Sequence, residues 1–438
     1  MKFFFMKTNR RKFIKTVALA GGASTLLPLS SCDSNKTLKK NQLLTDYSAL
    51  DKARKQPVLK RELFPNPVVI ETLELLKDRN NFICRARTKD GAEGISIGHP
   101  VISKTSYPMF IHYLRHHFIG KDARDLDLLI YNAAERNVKR QGVPLCVQIA
   151  TIEFAILDML GNIANKPAGA LIGDIINPKV SIYLGHHLWD LRNKEPEESL
   201  ELMRKDQIAT KAKAIKLRAG RGDYLASDID NAPGRTEKLI KMAREMFGDN
   251  MNLMIDGNGS YSVKEAIRIG KILEEYNYYF YEEPIPWDWY EEQKQVEQAL
   301  SIPMAGGEEE FGMHRFRWLI GNEVFQVIQP DLFYFGGMVR TMQVARMTEA
   351  SGLQITPHIT KGGLGFAYML QMVSACPAAA EFHEFKMFKT QDANGTIIPL
   401  ESKAEPFESV DGSITVPTGS GMGIHIDPNY IKTHKPIT

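Results

Sequence analysis

Hydrophobic and polar positions change period along this 438-residue chain. From about residue 60 to 105 they alternate every second position, as on strands with one buried face. VVIETLELL, NFICRART and ISIG read as a small antiparallel sheet, with Asp90-Gly91 as a hairpin turn. From about 120 to 173 the period becomes helical, and TIEFAILDMLGNIANK places Ile152, Ala155, Ile156 and Met159 on one face. Pro167 and Gly173 close that section. From about 179 short apolar runs such as VSIYL and AIKLR alternate with amphipathic helices. In VKEAIRIGKILEEY, Ala266, Ile269, Leu273 and Tyr276 share a face. After about 395 the chain is strand-like again, in DGSITVP and GSGMGIHID, and this tail is expected to pack back on the N-terminal sheet.

In the second half, six acid or imidazole residues end successive apolar runs: Asp256, Glu282, Glu308, Asp331, His358 and Glu384. Their spacings are 26, 26, 23, 27 and 26 residues. That step is one strand plus one helix with loops, the repeat of a (β/α) barrel. All strand C-termini of such a barrel open on one face, so residues distant in sequence gather there. The period carries no repeated sequence motif, which excludes a solenoid.

The first 31 residues carry six Lys and Arg and no acid, followed by an uncharged stretch from Thr16 to Leu29. A basic start, a short apolar middle and small residues describe an export signal, and the middle is too short to span a bilayer. NRRKFIK contains a twin-arginine pattern, with Asn9 where Ser or Thr is usual. LSSC resembles a lipoprotein cleavage site with Cys32 as the acylated residue. The protein is therefore expected to be exported, lipid-anchored at the periplasmic face or cell envelope. The full chain is +3, so removal of those six charges leaves −3, and no basic patch points to nucleic acid. Cys84, Cys146 and Cys376 form neither a disulfide framework nor a metal-ligand spacing.

The chemistry rests on the strand-end residues. Three carboxylates on neighbouring strands, Asp256, Glu282 and Glu308, repel one another unless a cation neutralises them. An all-oxygen set suits Mg²⁺, one per site, over softer metals. Glu283, Glu309 and Glu310 are adjacent rivals. Asp331 and His358, on the next two strands, suit a dyad in which the carboxylate fixes the imidazole tautomer and makes a general base. Glu384, with Glu381 as rival, is placed to donate to or orient a substrate carboxylate. Lys216 and Arg218, two apart in AIKLRAG, share a face and would steady an anionic substrate and oxyanion. Gly336-Gly337 permits close backbone approach or a plain turn.

AIKLR, IDGNGSY, YEEP, AGGE, QPDLFYFGG, TPH, EFHEF and LDMLGNIANKPAGALIG together resemble the mandelate racemase/muconate lactonizing subgroup of the enolase superfamily. The likeness runs from about residue 60 to the C-terminus. It implies an α/β fold, a (β/α)₇β TIM-like barrel under an α+β capping domain. The boundaries read as signal 1–31, tether 32–58, capping domain 59–176, barrel 177–392, and C-terminal segment 393–438 returning to the capping domain. It implies Asp256, Glu282 and Glu308 as Mg²⁺ ligands, Asn258 near them, catalytic Lys216, Asp331, His358 and Glu384, and a homo-oligomer. It further implies removal of a proton next to a carboxylate through an enediolate steadied by Lys216.

One departure matters. The second Lys of the family's Lys-x-Lys strand is Arg218, and arginine keeps its proton. With one base, His358, elimination is easier to write than racemisation. The expectation is acid-sugar dehydration to a 2-keto-3-deoxy acid, His358 taking the α-proton and returning one to the leaving hydroxyl. Arg218 beside Lys216 would also lower the lysine's pKa and leave it available as a base. The alternatives are a racemase, epimerase or lactone cycloisomerase on the same enediolate, and a non-catalytic sugar-acid-binding lipoprotein. His186, His187 and Trp189, after the first barrel strand, are expected to line the substrate pocket, and Arg79 and Asn80 to lie in a capping-domain loop.

Overall fold

The computed structural model describes residues 43–185, 194–359, 364–386, 397–401 and 407–437. The export signal, Cys32 and the His186, His187 and Trp189 pocket candidates lie outside them. Strands β1 (Ile70–Asp78), β2 (Asn81–Thr88) and β3 (Glu93–Ile97) form the antiparallel sheet that the alternation predicts. Arg79 and Asn80 are the exposed turn between β1 and β2, and Gly91 takes a φ of +91° in the β2–β3 hairpin.

Three helices follow the sheet. They are preceded by α1 (Ser48–Arg54) and continue as α2 (Ser103–Met109), α3 (Leu126–Glu135) and α4 (Val143–Ala164). Helix α4 is buried on every side from Leu145 to Gly161, apolar all round because it is a core helix packed against β3. The single face read from its sequence understates this. Two acids in α4 hold the layers together. Asp158 accepts backbone N–H groups from Ile95 in β3 (2.9 Å) and from Met422 in the C-terminal segment (2.8 Å). Glu153 accepts from Met338 N and from Val339 N at 3.1 Å. The short α5 (Ala168–Ile172) leads into the barrel.

Eight parallel strands follow in order: β4 (Lys179–Leu184), β5 (Ala214–Arg218), β6 (Asn252–Asp256), β7 (Phe280–Glu282), β8 (Met304–Gly306), β9 (Val327–Ile328), β10 (Gln354–Ile355) and β11 (His383–Phe385). Each pairs with the next from β4 to β10, and β11 pairs back on β4. Bridging of Ile355 to Ala379 links β10 to the approach of β11 and closes the ring. Seven helices alternate with them: α6 (Pro196–Thr210), α7 (Arg235–Phe247), α8 (Val263–Glu275), α9 (Tyr290–Ala299), α10 (Met313–Gly321), α11 (Met338–Ala350) and α12 (Leu364–Ser374). This is a (β/α)₇β barrel. In α8 the Ser262 hydroxyl caps Glu265 N, and Ala266, Ile269 and Leu273 are buried as the spacing predicts.

Strand alternation sorts the side chains. Ile215, Leu217, Leu253, Ile255 and Tyr281 join the large helix-facing core. Tyr183, Ala214, Met254, Phe280, Ala305, Val327 and Phe382 fill a separate cluster inside the ring. Two residues on from Ala214, Met254 and Phe280 come Lys216, Asp256 and Glu282, so the inner face turns from apolar to charged toward the strand C-termini.

Two expectations differ. DGSITVP does not join the N-terminal sheet: β12 (Ser409–Val410) and β13 (Ser413–Thr415) form a hairpin that pairs with β4 of the barrel. After α13 (Pro428–Thr433), only β14 (Lys435–Pro436) pairs with β1. Alternation says that one face is buried, not against which sheet. Residues 43–58, read as tether, carry α1, whose Leu50 is buried while Asp51 pairs with Arg317 of α10 at 2.9 Å. A mostly polar segment whose buried apolar residues are Leu50 and Val58 gives little hydrophobic signal.

Candidate active site at the barrel mouth

The strand-end residues meet above the charged layer. Asp256 and Glu282 are register partners on β6 and β7, and Glu308 follows β8 at the turn Gly307 opens with a φ of +110°. Each carboxylate faces a cation. Glu282 Oε1 lies 2.5 Å from Lys216 Nζ, Asp256 Oδ2 3.6 Å from Arg218 Nη2, and Glu308 Oε2 3.3 Å from His358 Nε2. Glu282 Oε2 accepts from Gln329 Nε2 at 2.9 Å. Glu308 Oε1 accepts from Tyr224 OH at 3.2 Å and from Asn258 Nδ2 at 3.3 Å, and Asn258 N donates to Asp256 Oδ1 at 2.9 Å. Asn258 thus holds two of the acids in place, and its Oδ1 has no hydrogen-bond donor among the described residues.

Burial pushes Glu282 up to about 7 against the pull of Lys216, and it raises Asp256 despite Arg218. The neighbouring Glu283 is buried at a φ of +35°, with neither oxygen hydrogen-bonded among the described residues, and burial plus Glu308 and Glu309 push it well above the usual carboxylate range. Glu309, half-buried, is raised to about 7 by burial and Glu308. Of the other rivals, Glu310 turns away to Tyr290 OH (2.5 Å), and Glu381 is exposed whereas Glu384 is buried.

Among the described residues no three Asp, Glu, His or Cys side chains converge as a closed cation cage. The donor set nevertheless fits a hard divalent cation. All its atoms are oxygens, and the orphaned buried carboxylate of Glu283 marks unmet demand for positive charge beside them.

Asp331 and His358 bridge in parallel at the ends of β9 and β10, and His358 Nδ1 lies 2.7 Å from Asp331 Oδ2. Asp331 Oδ1 accepts from Phe333 N (2.7 Å) and Tyr334 N (2.8 Å), which fixes the carboxylate. Burial opposes charge on His358, but Glu308, Asp331 and Glu384 outweigh it and push the imidazole up to about 9. The Gly336-Gly337 turn takes φ of +91° and +109°, and a Cβ at Gly337 would lie 2.4 Å from the Glu153 carboxyl.

Glu384 lies among Lys216 (3.6 Å), His358 (3.7 Å) and Lys386 (3.4 Å). Burial works against its ionisation, yet Lys386, Lys216 and His358 hold it down at about 2. Lys216 does not fit the role of a softened base. Burial disfavours its charge, but Glu282, Tyr183 and Glu384 raise it well above the usual lysine value, and Arg218 faces Asp256. Tyr224, Gln329 and Lys386 were not singled out in the sequence. For Lys386 a signal existed, its position two residues beyond Glu384, directly after β11; for the other two none did.

Residues 198–430 match the family model described as "Enolase C-terminal domain-like". A D-galactarolactone cycloisomerase of Agrobacterium fabrum is 27% identical over 314 residues, 70% of this chain and 79% of that protein. A D-galactonate dehydratase of Xanthomonas euvesicatoria is 26% identical over 352 residues, 80% and 89% of the two chains. The crystal structure of a mandelate racemase/muconate lactonizing protein from Paracoccus denitrificans, complexed with magnesium, superposes with a TM-score of 0.73 at 23% identity, covering 85% of this chain and 98% of that one. With a matched segment spanning more than half its length, this chain belongs to the enolase C-terminal domain-like family.

Proposed function

We propose that this protein removes the proton α to the carboxylate of an acid sugar and expels water from the neighbouring carbon, giving a 2-keto-3-deoxy acid. The observation that carries the reading is the Asp331–His358 pair, 2.7 Å apart, whose Nε2 faces the acid cluster, 3.3 Å from Glu308. Asp331 holds the imidazole by Nδ1 and leaves Nε2 to accept the proton. Lys216, held as a cation by Glu282, sits where negative charge develops on the substrate carboxylate. Arg218 adds a second fixed positive charge on the same strand face. Asp256, Glu282 and Glu308 would hold Mg²⁺, with Glu283 beside them. When bound, Mg²⁺ supplies charge stabilisation for the enediolate and offsets the acids that keep His358 protonated.

The likeness to a galactarolactone cycloisomerase favours a second reading, in which the same proton abstraction opens or rearranges a lactone. Incubation of the protein with Mg²⁺ and a panel of aldonic, aldaric and lactone substrates, followed by trapping of α-keto acids, separates the two. A keto acid formed from an aldonate supports dehydration. Lactone consumption without loss of water supports cycloisomerisation, and no conversion of any substrate contradicts both.

The N-terminal pattern supports export and a lipid at Cys32. Incorporation of labelled palmitate that is lost in Cys32→Ala tests it, and labelling unchanged by that substitution contradicts it.

A further inference from the structure

Elimination requires two proton movements, one off the α-carbon and one onto the leaving oxygen. The residues already described supply only one group suited to move protons. Arg218 keeps its proton. Lys216 is 1% exposed and held as a cation by Glu282 at 2.5 Å, so a proton it gave up could not readily be replaced from water.

Lys386 follows β11 and stands two residues beyond Glu384, on the same face of the chain. Its Nζ lies 3.4 Å from Glu384 Oε2, and His358 Nε2 lies 3.7 Å from that same oxygen. One carboxylate oxygen therefore separates the lysine from the base. The Lys386 side chain is 18% exposed where that of Glu384 is 1%, so it enters from the solvent side of the mouth. Neither oxygen of Glu384 accepts a hydrogen bond among the described residues, although three cations surround them. Gly185, at the end of β4, gives Glu384 its place, since a Cβ there would lie 2.8 Å from Oε1. Glu384 is thus a fixed acceptor for a substrate hydroxyl, with a proton donor on either side.

We propose that Lys386 is a catalytic residue, the acid that protonates the departing oxygen; this rests on the acid-sugar elimination reading above. His358 takes the α-proton. The electron pair of the resulting enediolate forms the α–β double bond as the β-carbon–oxygen bond breaks. The leaving oxygen takes a proton from the Lys386 ammonium and departs as water. The neutral amine regains a proton from solvent, His358 releases its own, and the enol tautomerises to the 2-keto-3-deoxy acid.

The test uses the full chain with Mg²⁺, D-galactonate and 3-deoxy-3-fluoro-D-galactonate in heavy water. Fluoride leaves without needing a proton. In Lys386→Met, keto-acid release from D-galactonate should fall by roughly 10²–10⁴-fold, the usual worth of a general acid. Fluoride release and α-proton exchange should stay near wild type. Lys386→Arg, which keeps the charge but not an easily shed proton, should behave like Lys386→Met. Keto-acid release restored in Lys386→Arg would reduce the lysine to a fixed charge and overturn the proposal. Equal loss of fluoride and water release in both variants would overturn it as well. If the wild-type protein exchanges no α-proton and releases no product from any aldonic, aldaric or lactone substrate of the panel above, the acid-sugar reading itself fails, and the role of Lys386 with it.

Discussion

Asp256, Glu282, Glu308, Asp331 and Glu384 at the barrel mouth each face a cation from another strand of the ring, and those pairings say what each substitution should cost. His358→Asn keeps an N–H donor beside Asp331 but cannot accept the α-proton. Turnover should fall by roughly 10²–10⁴-fold while isothermal titration still finds Mg²⁺ binding. Turnover close to wild type would remove the dyad from the mechanism. Glu282→Gln should weaken Mg²⁺ affinity, and an unchanged affinity would shift the ligand to Glu283, whose orphaned carboxylate lies next to it. Asp256, Glu282, Glu308, Asp331, His358 and Glu384 were legible because each ends an apolar run at a steady interval. Their partners were not, because Tyr224 and Gln329 reach Glu308 and Glu282 only once the ring has closed. The same ring closure reverses the expected softening of Lys216, which meets Glu282 and not Arg218.

Helix α4 ties the capping sheet, the C-terminal segment and a barrel helix through two buried acids, an arrangement that a hydrophobic pattern cannot display. Burial pushes Glu153 up to about 8, so the folded state binds its proton more tightly than the unfolded chain does. That contribution is present at low pH and is lost as pH rises from the ordinary glutamate range through about 8. The melting temperature of wild type should therefore decline over that window more than that of Glu153→Gln; parallel declines would show that Glu153 does not govern the slope. Asp158→Ala leaves the N–H groups of Ile95 and Met422 without their acceptor. At about 1–3 kcal/mol for each buried unsatisfied group, denaturant melts should show a loss on the order of 2–6 kcal/mol. A loss under about 0.5 kcal/mol, the range of surface substitutions, would contradict the tie. Element type was readable along most of the chain, whereas pairing partners at its ends were not. The DGSITVP hairpin has the right alternation for either sheet and takes the barrel edge at β4.

At the scale of the molecule, the ring gathers on one rim acids that repel one another. Mg²⁺ binding to the folded state should raise the calorimetric melting temperature, by about 2.7 kcal/mol of stability at a hundred times its Kd. The gain should vanish with a chelator and in a variant carrying Asp256→Asn, Glu282→Gln and Glu308→Gln together. A gain that survives in that variant would place the cation elsewhere. The claim on which everything else depends is that the assembled rim takes a proton from the carbon beside a carboxylate. Proton NMR of the protein with Mg²⁺ and acid sugars in heavy water tests it directly. The account predicts that the α-proton signal disappears and that a new deoxy methylene appears beside a keto group. An α-proton signal that stays intact with every acid sugar and lactone, under conditions where Mg²⁺ binding is measured, would contradict it.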